Sequence, residues 1–135
     1  MKANSIEEFF GTLQQSVVQT WRSHLKTSKY SKHMALDEFY KEMPELVDTL
    51  IENYIGIHGK VESYTNIMQD NLDAVEYLTE LRDMVINGRN EYCQESELQS
   101  DIDSILSQID RTLYKLKELK EMKSLTDFIR ESLGR

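Results

Sequence analysis

The chain has 135 residues, 30% of them charged, and a formal net charge of −8. Its length predicts a single domain, residues 1–135, and its charge argues against nucleic acid as the main partner, because phosphate binding needs a basic surface. No apolar run approaches the length of about 20 residues that spans a bilayer, and the first residues lack a signal-peptide pattern. Because Cys93 is the only cysteine, we expect no disulfide within the chain and a cytoplasmic location.

The first predicted helix begins at a capping box formed by Ser5 and Glu8. Its apolar residues recur every three or four positions, which predicts a helix that ends near Thr27. These residues are Phe9, Phe10, Leu13, Val17, Trp21 and Leu25. A short polar turn follows, so the first two helices should be antiparallel neighbours, with His24 and His33 at the same end of the bundle.

The second predicted helix carries apolar residues from Leu36 to Tyr54 and ends at Gly56 and Gly59. Pro44 interrupts it. A proline inside a helix removes a backbone donor and costs about 3 kcal/mol, so we expect a kink there, and a complete break is the alternative. The apolar register continues unchanged across Pro44, which favours the kink.

The region from 57 to 70 has weak periodicity, and an extended chain of this length reaches about 45 Å, enough to cross the length of a bundle. A third helix is predicted from Ala74 to Tyr92, with an early end at Gly88 as the alternative. Ser96 and Gln99 predict the start of a fourth helix. The apolar stripe of that helix comprises Leu98, Ile102, Ile105, Ile109, Leu113, Leu116 and Leu119.

A last short helix is predicted to open at Ser124 and Asp127. Four main helices with a long connection between the second and the third predict an all-α four-helix bundle with one crossover and a short C-terminal helix.

Four candidate metal ligands share one face of the second helix, because they fall within an arc of about 100°. They are His33, Asp37, Asp48 and Glu52. Imidazole and carboxylate groups are metal ligands, although a solvated polar stripe is the alternative interpretation. Asp37 and Asp48 lie about 16 Å apart along the helix axis, so one ion cannot contact both pairs.

The two pairs can nevertheless meet if the helix packs antiparallel against its own copy about a two-fold axis near Met43. His33 and Asp37 of one chain then face Asp48 and Glu52 of the other. The spacing therefore predicts a metal site shared across a homodimer interface.

The spacing of histidines and carboxylates in three segments resembles that of a known family, and the segments are 21–25, 30–40 and 48–53. In them a His late in the first helix precedes His-x-x-x-Asp in the second helix and, eleven residues after that Asp, Asp-x-x-x-Glu. Over about residues 10–59 the chain resembles the miniferritins, the DNA-protection-during-starvation (Dps) proteins of the ferritin-like superfamily. A weaker resemblance is to short acidic proteins of this type in tailed bacteriophages.

The resemblance implies a ferroxidase centre that oxidises Fe(II) with peroxide or dioxygen and is built by two subunits. One subunit supplies His24, His33 and Asp37, and the other supplies Asp48 and Glu52. Manganese and zinc are alternatives to iron, because this ligand set tolerates all three. The resemblance also implies a dodecameric shell, although a dimer satisfies the site equally well.

The chain departs from the family pattern in several places. The gap between His24 and His33 is shorter than usual, Asn53 replaces the family's Arg, and the basic tail that binds DNA is missing. The short turn and Pro44 favour an alternative of another class. That alternative is a degenerate ferritin-like protein that keeps the fold for assembly or partner binding without a catalytic metal.

Overall fold

The computed structural model describes residues 1–118 and 125–134, and this part of the chain contains helices and no strand. The helices are α1 (Ile6–Lys26), α2 (Tyr30–His58), α3 (Ala74–Tyr92), α4 (Ser96–Glu118) and α5 (Leu125–Leu133). Leu119 and Ser124, which were predicted to extend the fourth helix and to cap the last one, lie outside the described residues. Among the described helices, none is both long enough and apolar enough to cross a membrane.

Helices α1 to α4 form a four-helix bundle, as the apolar periodicity predicts. α1 packs against α2 and α3, and α4 packs against the same two helices, so α1 and α4 occupy opposite corners. The largest fully buried side chains of the core include Phe9, Phe39, Met43, Leu81 and Ile102. Burial of these apolar side chains is the main stabilising contribution to the bundle.

The helix ends follow from local chemistry. The Ser5 hydroxyl accepts a hydrogen bond from the Glu8 amide at 3.2 Å, which caps α1. Gly59 has a φ of 92°, a conformation that glycine adopts at little cost, and it ends α2. α2 is continuous through Pro44, so the alternative of a complete break is wrong.

The early end of the third helix at Gly88 is also wrong, because α3 continues to Tyr92. Gly88 is buried against Phe9, whose ring occupies the space that a Cβ atom would need. The glycine therefore serves close packing between α1 and α3 rather than a helix end.

The connection formed by residues 59–73 runs beside α1. The Thr65 amide donates to the Glu7 carbonyl at 3.1 Å, near the start of α1. Further along, the Gln19 side-chain amide donates to the Asp70 carbonyl at 2.8 Å. The chain therefore returns to the end of the bundle where α2 begins, and α3 runs parallel to α2.

Gly11 is the point of closest approach between α1 and this connection. A Cβ atom at Gly11 would overlap backbone atoms of Thr65, which cannot retreat without losing its hydrogen bond to α1. We expect Gly11→Ala to lower the free energy of unfolding by about 1–3 kcal/mol in urea denaturation, although alanine is the better helix former. Gly56→Ala is the control, because a Cβ atom at Gly56 meets nothing within 4 Å. Equal stability of the two variants would contradict this close approach.

Candidate metal site at the α1–α2 surface

In the second half of α1, the face of the helix that is buried is no longer the apolar face. Trp21 is 49% exposed and Leu25 is 65% exposed, so these two residues of the apolar stripe do not pack in the core of the protomer. The buried positions of this half are polar instead: Ser16, Gln19, Thr20 and His24. Periodicity alone missed the change because the apolar spacing continues while the face that is buried shifts.

His24 of α1 meets the first turns of α2. Its Nε2 atom lies 3.4 Å from Oδ1 of Asp37, and the centroid of its ring lies 3.9 Å from that of His33. The short turn between α1 and α2, residues 27–29, therefore does not separate the two histidines. The structure brings together the three residues that the miniferritin pattern assigns to one subunit.

Both histidine rings are held by backbone carbonyls. Nδ1 of His33 lies 3.0 Å from the His24 carbonyl oxygen, and Nδ1 of His24 lies 3.3 Å from that of Trp21. Because a carbonyl oxygen only accepts, each Nδ1 carries the hydrogen, and Nε2 of a neutral ring keeps its lone pair. Metal-binding histidines are commonly oriented in this way by a partner of the second nitrogen.

The Asp37 carboxylate is contacted on both oxygens, since its Oδ2 lies 3.0 Å from the Lys41 ammonium. Partial burial acts to raise the pKa of Asp37, but hydrogen bonds and charge from Lys41, Tyr40 and His24 outweigh burial and lower it below 3.8. An ionised Asp37 and an unprotonated Nε2 of His24 both accept hydrogen bonds. Their contact is therefore favourable only with a proton on the ring or a cation between them.

Asp48 and Glu52 form a second acidic pair on α2, one helical turn apart and exposed. The hydrogen bond between them, followed by the negative charge of Asp48, raises the pKa of Glu52 above its ordinary value of 4.5. The negative charges of Asp48 and Glu52 repel each other, and a cation bound beside them would reduce this repulsion. Asp48 also lines a surface groove of about 200 Å³ between α1 and α2, together with Gln14, Val17, Pro44, Val47 and Ile51.

The two halves of the predicted site remain separate within one protomer. Among the residues described here, no three His, Cys, Asp or Glu side chains converge to hold a metal ion. The predicted crossing near Met43 needs a correction, because Met43 is fully buried in the core. Pro44, the next residue, is exposed, so a second copy can contact α2 there.

Lys41 is the residue that sequence analysis missed. Its signal was present, since Lys41 follows Asp37 by four positions and this spacing places opposite charges side by side on a helix.

The acidic pair predicts a pH dependence for Glu52→Gln. A raised carboxyl pKa means that the folded state binds the proton more tightly than the unfolded chain. The resulting stabilisation is present below pH 4.5 and is lost as the pH rises through the higher pKa of the folded state. In urea denaturation without metal, we expect Glu52→Gln to be at least as stable as the natural chain at about pH 7 and to lose this advantage at about pH 4. If Glu52→Gln were more stabilising at the lower pH than at the higher one, repulsion between Asp48 and Glu52 would be contradicted.

Residues 24–116 match the model of a family described as Family of unknown function (DUF5856), and all five candidate ligands lie in this range. A protein of Enterobacteria phage T4, described as an uncharacterized 14.6 kDa protein in the mobD-ri intergenic region, is 26% identical over 117 residues. The alignment covers 85% of this chain and 90% of the phage protein. No solved structure matches the chain. The family model spans more than half of the sequence, and the protein therefore belongs to the DUF5856 family.

Proposed function

We propose that this protein is a ferritin-like ferroxidase of the miniferritin type, which binds Fe(II) as its substrate at a site completed by a second copy of the chain. The observation that carries the proposal is the cluster of His24, His33 and Asp37, in which both imidazoles are oriented by backbone carbonyls. Oriented imidazoles and a carboxylate are donor types that suit Fe(II), and the proposal assigns the rest of the coordination to the second copy.

The topology of the bundle supports the ferritin-like part of the proposal. Ferritin-like folds have one long crossover connection in a four-helix bundle. Here the residues from 59 to 73 run along α1, and α2 and α3 are parallel at opposite corners. The short helix α5 follows the fourth helix.

Two surface features support a homodimer through α1 and α2. Trp21, Leu25 and Met34 are exposed apolar side chains at the end of the bundle that holds the histidines, and their burial would favour association. Antiparallel packing of α2 against its copy would bring the Asp48–Glu52 pair of one chain to the histidine cluster of the other. The metal ion bound there would reduce the repulsion between Asp48 and Glu52. A larger assembly, including a dodecamer, can be built from such dimers.

The proposed reaction needs two Fe(II) ions for each peroxide molecule. Each iron loses one electron, the O–O bond of peroxide breaks, and two hydroxide ions and two Fe(III) ions result. Dioxygen is the alternative oxidant, and Mn(II) and Zn(II) are alternative ions for the same ligands. A reducing cytoplasm suits the substrate and keeps Cys93 as a thiol.

The test is an anaerobic titration with Fe(II), followed by addition of peroxide. We expect saturable binding and a burst of Fe(III) absorbance that Zn(II) suppresses by competition. The mass of the assembly, measured in parallel, distinguishes a dimer from a shell. A protein with neither binding nor a burst would belong to the alternative class of ferritin-like proteins that keep only the fold.

A further inference from the structure

We propose that Lys41 is a built-in competitor of the metal ion, whose ammonium group pairs with Asp37 and lowers the affinity of that carboxylate for a metal. This inference rests on the proposed function. It assigns to Lys41 a positioning role that sets the affinity of the site.

The geometry places the ammonium group of Lys41 against the carboxylate that is the proposed oxygen donor. Its Nζ atom lies 3.0 Å from Oδ2 of Asp37, while His24 faces the other oxygen at 3.4 Å. The side chain of Lys41 is 61% exposed and that of Asp37 is 22% exposed. The two oxygens of Asp37 are therefore divided between a solvent-exposed ammonium group and the imidazole of His24.

A metal ion bound to Asp37 and the ammonium group of Lys41 repel each other. Both are positively charged and both are attracted to the same carboxylate, so the presence of one weakens the binding of the other. An exposed ion pair contributes little free energy, which means that Lys41 lowers metal affinity only modestly and leaves readily. When no metal is bound, Lys41 offsets the negative charge of Asp37 and lowers its affinity for other cations.

Lys115 provides a matched control. Its ammonium group lies 2.5 Å from Oε2 of Glu38, the residue that follows Asp37, so the two lysines pair with adjacent carboxylates of α2. Lys115→Met removes the same charge and the same kind of ion pair without touching Asp37.

The experiment measures the Kd of Co(II), used as a spectroscopic probe for Fe(II), with the natural chain and with Lys41→Met, Lys41→Arg and Lys115→Met. We expect Lys41→Met to bind Co(II) about two- to fivefold more tightly at low ionic strength. Lys41→Arg and Lys115→Met should behave like the natural chain. Added salt should narrow the difference, because it screens the competing charge.

Equal or weaker binding by Lys41→Met, with the natural chain binding Co(II), would overturn the role of Lys41 and leave the proposed function standing. Equal tightening by Lys115→Met would also overturn it, because the effect would then follow net charge alone. Absence of Co(II) binding in every variant would overturn both proposals.

Discussion

His33→Ala and Glu52→Gln are each expected to lower the rate of Fe(II) oxidation by at least about 100-fold, and a mixture of the two inactive variants is expected to regain activity. Removing a partner that only orients a metal ligand already costs about 10–100-fold, so removing a ligand should cost more. The two substitutions fall in different halves of the proposed site. One removes the imidazole beside His24, and the other removes a carboxylate of the acidic pair.

The recovery follows from the two-fold arrangement. In a mixed dimer one site carries both substitutions, while the other combines the intact histidine half of the Glu52→Gln chain with the intact acidic half of the His33→Ala chain. Random pairing makes about half of the dimers mixed, so about a quarter of the natural activity should return. The chains are unfolded together, refolded and assayed by stopped-flow absorbance.

Two controls make this test specific. A mixture of His33→Ala and Asp37→Asn should stay inactive, because both substitutions lie in the same half of the site. His58→Ala should keep full activity, since His58 is the last residue of α2 and pairs with Glu95. A mixture of His33→Ala and Glu52→Gln that forms mixed dimers but remains inactive would show that the site is not shared between chains.

Leu25→Glu is expected to disrupt the assembly without unfolding the protomer. Leu25 is 65% exposed in one protomer, so a charge there should change the free energy of unfolding of the isolated chain by less than about 0.5 kcal/mol. In the proposed dimer the same side chain is buried, and a buried unpaired carboxylate is strongly unfavourable. We expect self-association to weaken by at least about 30-fold, or about 2 kcal/mol, with loss of Fe(II) oxidation.

Analytical ultracentrifugation over a range of concentrations measures this change. The control is Tyr114→Glu, because Tyr114 is 66% exposed on α4, away from the α1–α2 surface. The control should keep both the assembly and the activity. Unchanged association of Leu25→Glu would place the contact between subunits elsewhere on the molecule.

Glu52→Gln is expected to change both the pH dependence of stability and the rate of Fe(II) oxidation. The pair that it forms with Asp48 raises the pKa of Glu52 and does not favour the empty protein at neutral pH. The substitution should therefore separate the two effects, because Glu52→Gln is expected to keep its stability at about pH 7 while Fe(II) oxidation is lost.

Much of the bundle could be predicted because its signals are local. The cap at Ser5 and the end of α2 at Gly59 depend on hydrogen bonds and dihedral angles within a few residues. The apolar repeat places the helices for the same reason. In the candidate site, the spacing of His33, Asp37, Asp48 and Glu52 puts them on one face of α2, whatever else packs nearby.

Other features depended on which neighbours surround each helix. Periodicity could not tell that the second half of α1 turns Trp21 outward and buries His24, since that choice depends on α2 and on the connection beside α1. The sequence around Gly88 is compatible with a helix end, and only the contact with Phe9 shows that this glycine serves close packing.

The sequence by itself thus determined the helices and the shared face of four candidate ligands on α2, because backbone hydrogen bonding and side-chain direction repeat with a fixed period along the chain. Only the tertiary structure decided that His24 of α1 lies beside His33 and Asp37 of α2, because distances between helices depend on packing across the whole bundle.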